Sequence, residues 1–124
     1  MTLVDLTDGV LVDEIAVGDR PVAIAAAGEG AFVVACESGD VVVLDARSGR
    51  LAERFRARVG MEPHAVTVTA DGATAWVARA AAGDVVAVTL AGPSAGAVSA
   101  PVGVGPLPRF LALASDGGTL AVSC

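Results

Sequence analysis

Three copies of a Gly-x-x-Pro opening constrain the fold of this 124-residue chain more than any other feature. An alternating apolar run follows each opening, and an acidic residue with glycine then closes the run. The prolines are Pro21, Pro63 and Pro108, which lie 42 and 45 residues apart. A period of this size that carries several short strands is typical of a β-propeller blade.

Each period contains several short apolar segments that are separated by turn residues. The pairs Asp71-Gly72 and Asp116-Gly117 are hairpin signals between a first and a second segment. Residues 41–44 and 85–88 form third segments that are continuously apolar, as expected of strands buried on both faces. No segment has helical periodicity, so the sequence predicts antiparallel four-stranded blades.

The chain divides at the glycine of each opening when the copies are aligned. Residues 3–17 match the last two strands of a blade, residues 18–59 and 60–102 each form a complete blade, and residues 103–124 match the first two strands. The predicted fold class is an all-β β-propeller fragment of about two and a half four-stranded antiparallel blades. Propellers have four or more blades, so we expect either a piece of a larger propeller or an arc that self-associates.

Composition and charge exclude several functions. The chain is 54% hydrophobic with a formal net charge of −6, which argues against a nucleic-acid partner because such partners require a basic patch. No apolar run reaches the roughly 18 residues of a membrane span, and Asp5 and Asp8 argue against a signal peptide at the start. Cys36 and Cys124 fall at equivalent positions two blades apart, too distant for a disulfide, and we expect two buried thiols.

The ordered set of motifs resembles the YVTN-type β-propeller repeat, which is related to the NHL, cytochrome-d1 and lactonase-like seven-bladed propellers. The Gly-x-x-Pro openings, the Asp-Gly turns and the Gly-Asp-Val-Val third strands carry this resemblance over nearly the whole chain. The chain departs from the family where the usual asparagine after the second strand is replaced by Cys36, Arg79 and Cys124. The resemblance implies a fold that hosts many functions and a periplasmic or extracellular location.

The candidate site residues flank the opening prolines, because the first strand of each propeller blade lines the central channel. They are Arg20, His64 and Arg109. One interpretation is a basic and imidazole rim that binds an anion or supplies a ligand to a metal or haem iron. The alternative is a turn histidine and two solvated arginines. His64 is the only histidine, so no multi-histidine metal site is predicted from this chain alone.

Three functions are compatible with these patterns. The first is a non-catalytic scaffold within a larger YVTN-like propeller that binds a protein or small-molecule partner at its rim or loops. The second is a segment of a propeller enzyme or electron-transfer protein, haem-d1-like, quinoprotein or lactonase-like, whose site other blades complete. The third is an arc that closes into a ring by self-association. No nucleophile motif, phosphate loop or convergent carboxylate pair is present, which favours the first and leaves any cofactor unassigned.

Overall fold

The computed structural model describes residues 1–124, which form twelve β-strands joined by turns. The strands are β1 (Thr2–Asp5), β2 (Val10–Glu14), β3 (Pro21–Ala26), β4 (Ala31–Cys36), β5 (Asp40–Arg47), β6 (Arg50–Arg58), β7 (Pro63–Val68), β8 (Thr74–Arg79), β9 (Asp84–Thr89), β10 (Val102–Gly103), β11 (Phe110–Leu113) and β12 (Leu120–Ser123). None of the chain forms a helix with the length and apolarity needed to cross a bilayer.

The strands form four sheets in which every pairing is antiparallel. We call β3–β6 the first complete blade and β7–β10 the second complete blade. The two-stranded sheets are the leading pair, β1 and β2, and the trailing pair, β11 and β12. The prediction of an all-β propeller fragment built from four-stranded antiparallel blades is confirmed.

The first strands of successive blades lie side by side. Strand β7 packs against β3 on one side and β11 on the other, while β2 packs against β6 at the outer edge. The sheets therefore follow one another face to face, with their first strands at one edge of the arc.

The core lies mainly between the two complete blades. Valines of the third strands are buried there, with Val43 at 0% and Val88 at 0% exposure. The buried members of this cluster are Val33, Val41, Val43, Ala57, Val59, Ala75, Val77, Val86, Val88 and Leu90. Because valine is β-branched, it suits strands that face a neighbouring sheet on each side. The continuous apolar runs of the sequence are these third strands, which have a neighbouring sheet on each face.

Smaller clusters join the incomplete sheets to the complete blades. Ile15 and Val17 cover Cys36 and Leu44 of the first complete blade. At the other end, Leu111 and Val122 of the trailing pair pack on the second complete blade beside Trp76. The indole of Trp76 thus contributes to the core.

The fourth strand of the second complete blade is short and irregular. Strand β10 covers only two residues, and Val98 forms an isolated bridge with Val88. Pro101 has no N–H to donate to a ladder. In this segment the Oγ of Ser99 takes the place of a backbone carbonyl and accepts a hydrogen bond of 2.9 Å from the Ala87 N–H.

The two cysteines lie in different environments, and both are free. Cys36 is fully buried under Ile15 and Val17, which follow the leading pair, and this burial raises the pKa of its thiol. Cys124 is exposed, so the expectation of a buried thiol is wrong there. The reason is that the trailing pair has no third strand beside β12, whereas β5 pairs with β4 next to Cys36.

Truncation of a core leucine tests the burial between the complete blades. Leu90 is 2% exposed within the main cluster, whereas Leu6 is 92% exposed in a turn. We expect Leu90→Ala to lower the free energy of unfolding by about 2–5 kcal/mol, because it leaves a cavity. Leu6→Ala should change it by less than about 0.5 kcal/mol. Urea denaturation of both variants gives the comparison, and equal losses would contradict this account of the core.

Candidate functional site at the channel rim

The three openings share a left-handed residue before the proline. The residue before each proline is left-handed, with φ of 56° at Arg20, 55° at Glu62 and 53° at Leu107. This region is sparsely populated by residues other than glycine and costs about 1–3 kcal/mol at each position. The same conformation at three equivalent positions is therefore a built feature of the repeat.

A pair of glycines fixes the start of the second and third openings. A Cβ added to Gly39 would lie 2.9 Å from Gly60 Cα, and one added to Gly83 would lie 2.9 Å from the Gly105 carbonyl oxygen. The Gly39 carbonyl accepts a hydrogen bond of 3.0 Å from the Gly60 N–H, and the Gly83 carbonyl accepts one of 3.3 Å from the Gly105 N–H. The glycine before each third strand thus makes room for the opening of the next blade.

Backbone hydrogen bonds tie the first and second openings to the ends of their second strands. The Glu37 N–H donates to the Arg20 carbonyl at 2.9 Å, and the Ala80 N–H donates to the Glu62 carbonyl at 2.9 Å. The residue after the second strand is thereby held beside the residue before the proline. This pairing determines which side chains meet at the rim.

Four charged or titratable side chains meet where the two complete blades join. Arg20 forms an ion pair with Glu37, with Nε 2.9 Å from Oε2. One potential metal-binding atom from each of Glu37, Glu62 and His64 lies within 4.8 Å of the other two. Glu37 and His64 are half-buried, and Glu62 is exposed. Two of the three predicted rim residues, Arg20 and His64, are therefore linked through Glu37.

Arg109 occupies the position of His64 in the trailing pair. It is exposed, and its backbone N–H donates to the Ser123 carbonyl at 2.8 Å. No ion pair or hydrogen bond joins its side chain to Arg20 or His64. Arg109 is thus a solvated cation one blade away from the cluster.

Glu37 and Glu62 were not predicted from the sequence as site residues. The expected basic rim is a mixed site, in which two carboxylates surround the imidazole and one of them neutralises Arg20. Glu62 could have been found from the sequence, since it directly precedes the opening proline. Glu37 lies far from the opening in sequence, and only the pairing of β3 with β4 brings it there.

A second polar network holds the opening that carries Glu62 and His64. Arg79 forms two hydrogen bonds with Asp84, of 2.7 and 2.8 Å, and its Nη1 donates to the Val59 carbonyl at 2.9 Å. Its side chain is only 14% exposed, and hydrogen bonding to Asp84 raises the pKa of the guanidinium. This network joins the second and third strands of one blade to the end of β6 in the other.

Removal of the Arg79 guanidinium tests this connection between blades. We expect Arg79→Met to lower the free energy of unfolding by about 3 kcal/mol, because the carboxylate of Asp84 loses its partner in a buried setting. Arg56→Met is the matched control, since Arg56 pairs with Glu53 on an exposed surface and should contribute less than about 1 kcal/mol. Denaturant titrations that give equal losses would contradict the role assigned to Arg79.

Many solved structures resemble this chain, among them the following two. A structure of Kuenenia stuttgartiensis hydrazine synthase matches with a TM-score of 0.74 and 25% identity, covering 84% of this chain and 29% of that one. A functionally unknown protein from Desulfotomaculum acetoxidans matches with a TM-score of 0.87 and 22% identity, covering 98% of this chain and 40% of the other. No protein-family model matches the sequence, and no curated protein is significantly similar to it.

These observations define a class of fold. The chain is an arc of a propeller-like β scaffold, with two four-stranded blades and a strand pair at each end. It spans less than half the length of either similar structure.

Proposed function

We propose that this chain is part of a larger YVTN-like propeller and acts as a non-catalytic scaffold that binds a partner at its channel rim. The repeated left-handed residue before each opening proline is the observation that carries the proposal. A strained conformation that recurs at one edge of the arc is typical of a surface held in a fixed geometry for recognition. A periplasmic or extracellular location is proposed on the family resemblance alone.

The rim residues we assign to binding are Arg20, His64 and Arg109. Arg109 is the cation whose side chain lacks an acidic partner, and it suits a carboxylate or phosphate group of a protein or small molecule. Arg20 and His64 lie beside carboxylates, so they favour a ligand that also carries hydrogen-bond donors. No catalytic residue is assigned.

Inorganic phosphate is a direct probe of this rim. We expect phosphate to bind weakly, and Arg109→Gln to weaken it by at least about threefold, because a charge-assisted hydrogen bond is lost. Arg47→Gln is the matched control, since Arg47 is an exposed arginine in an outer turn. Calorimetric titration measures both. Equal phosphate affinity in the two variants would contradict a role for Arg109 in binding.

A propeller enzyme remains the second candidate, because one similar structure is named as a synthase. On this hypothesis, His64 and Arg109 contribute to a haem, metal or substrate site that other blades complete. A full-length His64→Ala protein with unchanged absorbance, metal content and activity would exclude it.

Self-association that closes the arc into a ring is the third candidate. The edges of β1 and β12 favour one specific arrangement of the copies. By repeat alignment, Val4 of β1 corresponds to Leu44, which is 0% exposed, yet Val4 is 45% exposed. Pairing β12 of one copy with β1 of another would place Leu120 opposite Val4 and complete a four-stranded blade. Each copy then supplies three blades, so two copies give six, within the range of known propellers.

Light scattering on a sizing column tests this form of closure. Closure predicts a particle of twice the 12.1-kDa mass of one chain, in which maleimide labels Cys124 as slowly as the buried Cys36. Val4→Lys should convert it to single chains, because a charged edge strand resists pairing. Val98→Lys, on an outer segment, should leave it intact. A folded single chain with rapidly labelled Cys124 would exclude closure.

A further inference from the structure

The two junctions between neighbouring blades carry different side chains at equivalent positions. At the first junction, the residue after the second strand is Glu37, and those flanking the opening proline are Glu62 and His64. At the second junction, the same positions hold Ala80, Leu107 and Arg109, which offer no carboxylate or imidazole. The two junctions share the backbone geometry of the repeat, so they differ in the side-chain atoms that could bind a metal ion.

We propose that Glu37, Glu62 and His64 bind a first-row divalent cation of the zinc class at the first junction. One imidazole nitrogen and two carboxylate oxygens form a donor set that such ions accept. The earlier expectation of no metal site considered only the single histidine. The carboxylates supply the ligands that further histidines would otherwise provide.

The spacing of the donor atoms is compatible with such a site. They lie within 4.8 Å of one another, whereas ligands around a tetrahedral zinc ion are about 3.4 Å apart at normal bond lengths. Metal binding therefore requires rotation of the glutamate side chains toward the imidazole. Three protein ligands leave a fourth position for water or an incoming anionic group.

The backbone around the cluster positions these ligands. Glu37 is tied to Arg20 by its N–H, and Glu62 is tied to Ala80 by its carbonyl. His64 lies on β7, which packs against both β3 and β4. Since Glu37 belongs to the first complete blade and the other two to the second, a bound ion would connect the blades.

Arg20 opposes metal binding in this arrangement. Its Nε lies 2.9 Å from Glu37 Oε2, so it competes for a ligand oxygen and adds positive charge next to the ion. Removal of this guanidinium therefore frees the carboxylate. The expected effect is tighter metal binding, whereas a substitution that only disturbed the fold would weaken binding. The direction of the change in affinity therefore tests the proposal specifically.

The experiment uses the 124-residue chain without a polyhistidine tag, freed of metal by a chelator and titrated with Co²⁺ and Zn²⁺. We expect one equivalent of Co²⁺ to produce a visible d–d absorption band, and Zn²⁺ to displace it. His64→Gln and Glu62→Gln should each weaken binding at least about tenfold. Glu29→Gln, which alters an exposed turn carboxylate, should leave the affinity unchanged.

Arg20→Gln separates a metal site from indirect effects of substitution. It should tighten Co²⁺ binding several-fold and increase the rise in melting temperature that Zn²⁺ produces. Circular dichroism confirms that each variant is folded. Absence of stoichiometric binding, or binding equally strong in Glu62→Gln, His64→Gln and Glu29→Gln, would overturn the proposal. The metal titrations contain no phosphate, so their outcome does not depend on whether phosphate binds at Arg109.

Discussion

Burial of the third strand of each blade between two neighbouring sheets is the constraint on which the rest of the structure depends. A single four-stranded blade has two apolar faces and cannot cover either one alone. In this chain, Val43 faces the second complete blade, while Leu44 on the opposite face lies under Ile15 and Val17, which follow the leading pair. Stacking of sheets around β5 and β9 therefore determines the curvature of the arc and the position of every opening loop.

The channel rim follows from this stacking. Because β3, β7 and β11 lie side by side, the prolines that begin β3 and β7 and the one just before β11 reach the same edge. Paired glycines allow the close approach of successive repeats, and the network of Arg79 holds the opening between the complete blades. The side chains next to the prolines then differ without changing the fold, as in repeat proteins that vary their binding surface on a common frame.

Much of the fold was predictable from the sequence because strand order and turn chemistry are local. Continuous valines predicted the doubly buried strands, and Asp-Gly pairs predicted the hairpins. Neither the ion pair of Glu37 with Arg20 nor its approach to His64 was predictable from local sequence. Pairing of β3 with β4 brings Glu37 to Arg20 across 17 positions, and packing of the two complete blades brings it to His64 across 27. The exposure of Cys124 was also missed, since it depends on whether a third strand lies beside β12.

Native-state hydrogen exchange tests the central claim of face-to-face blades most directly. Strands β5 and β9 have a paired strand on both sides and lie beside the buried core, so we expect the amides of β5, and those of β9 that donate toward β8, to exchange only through global unfolding. The outer segment around β10 should exchange through local opening at much lower free energy. Exchange of β5 and β9 as fast as that of β10 would show that the two complete blades do not form a common core.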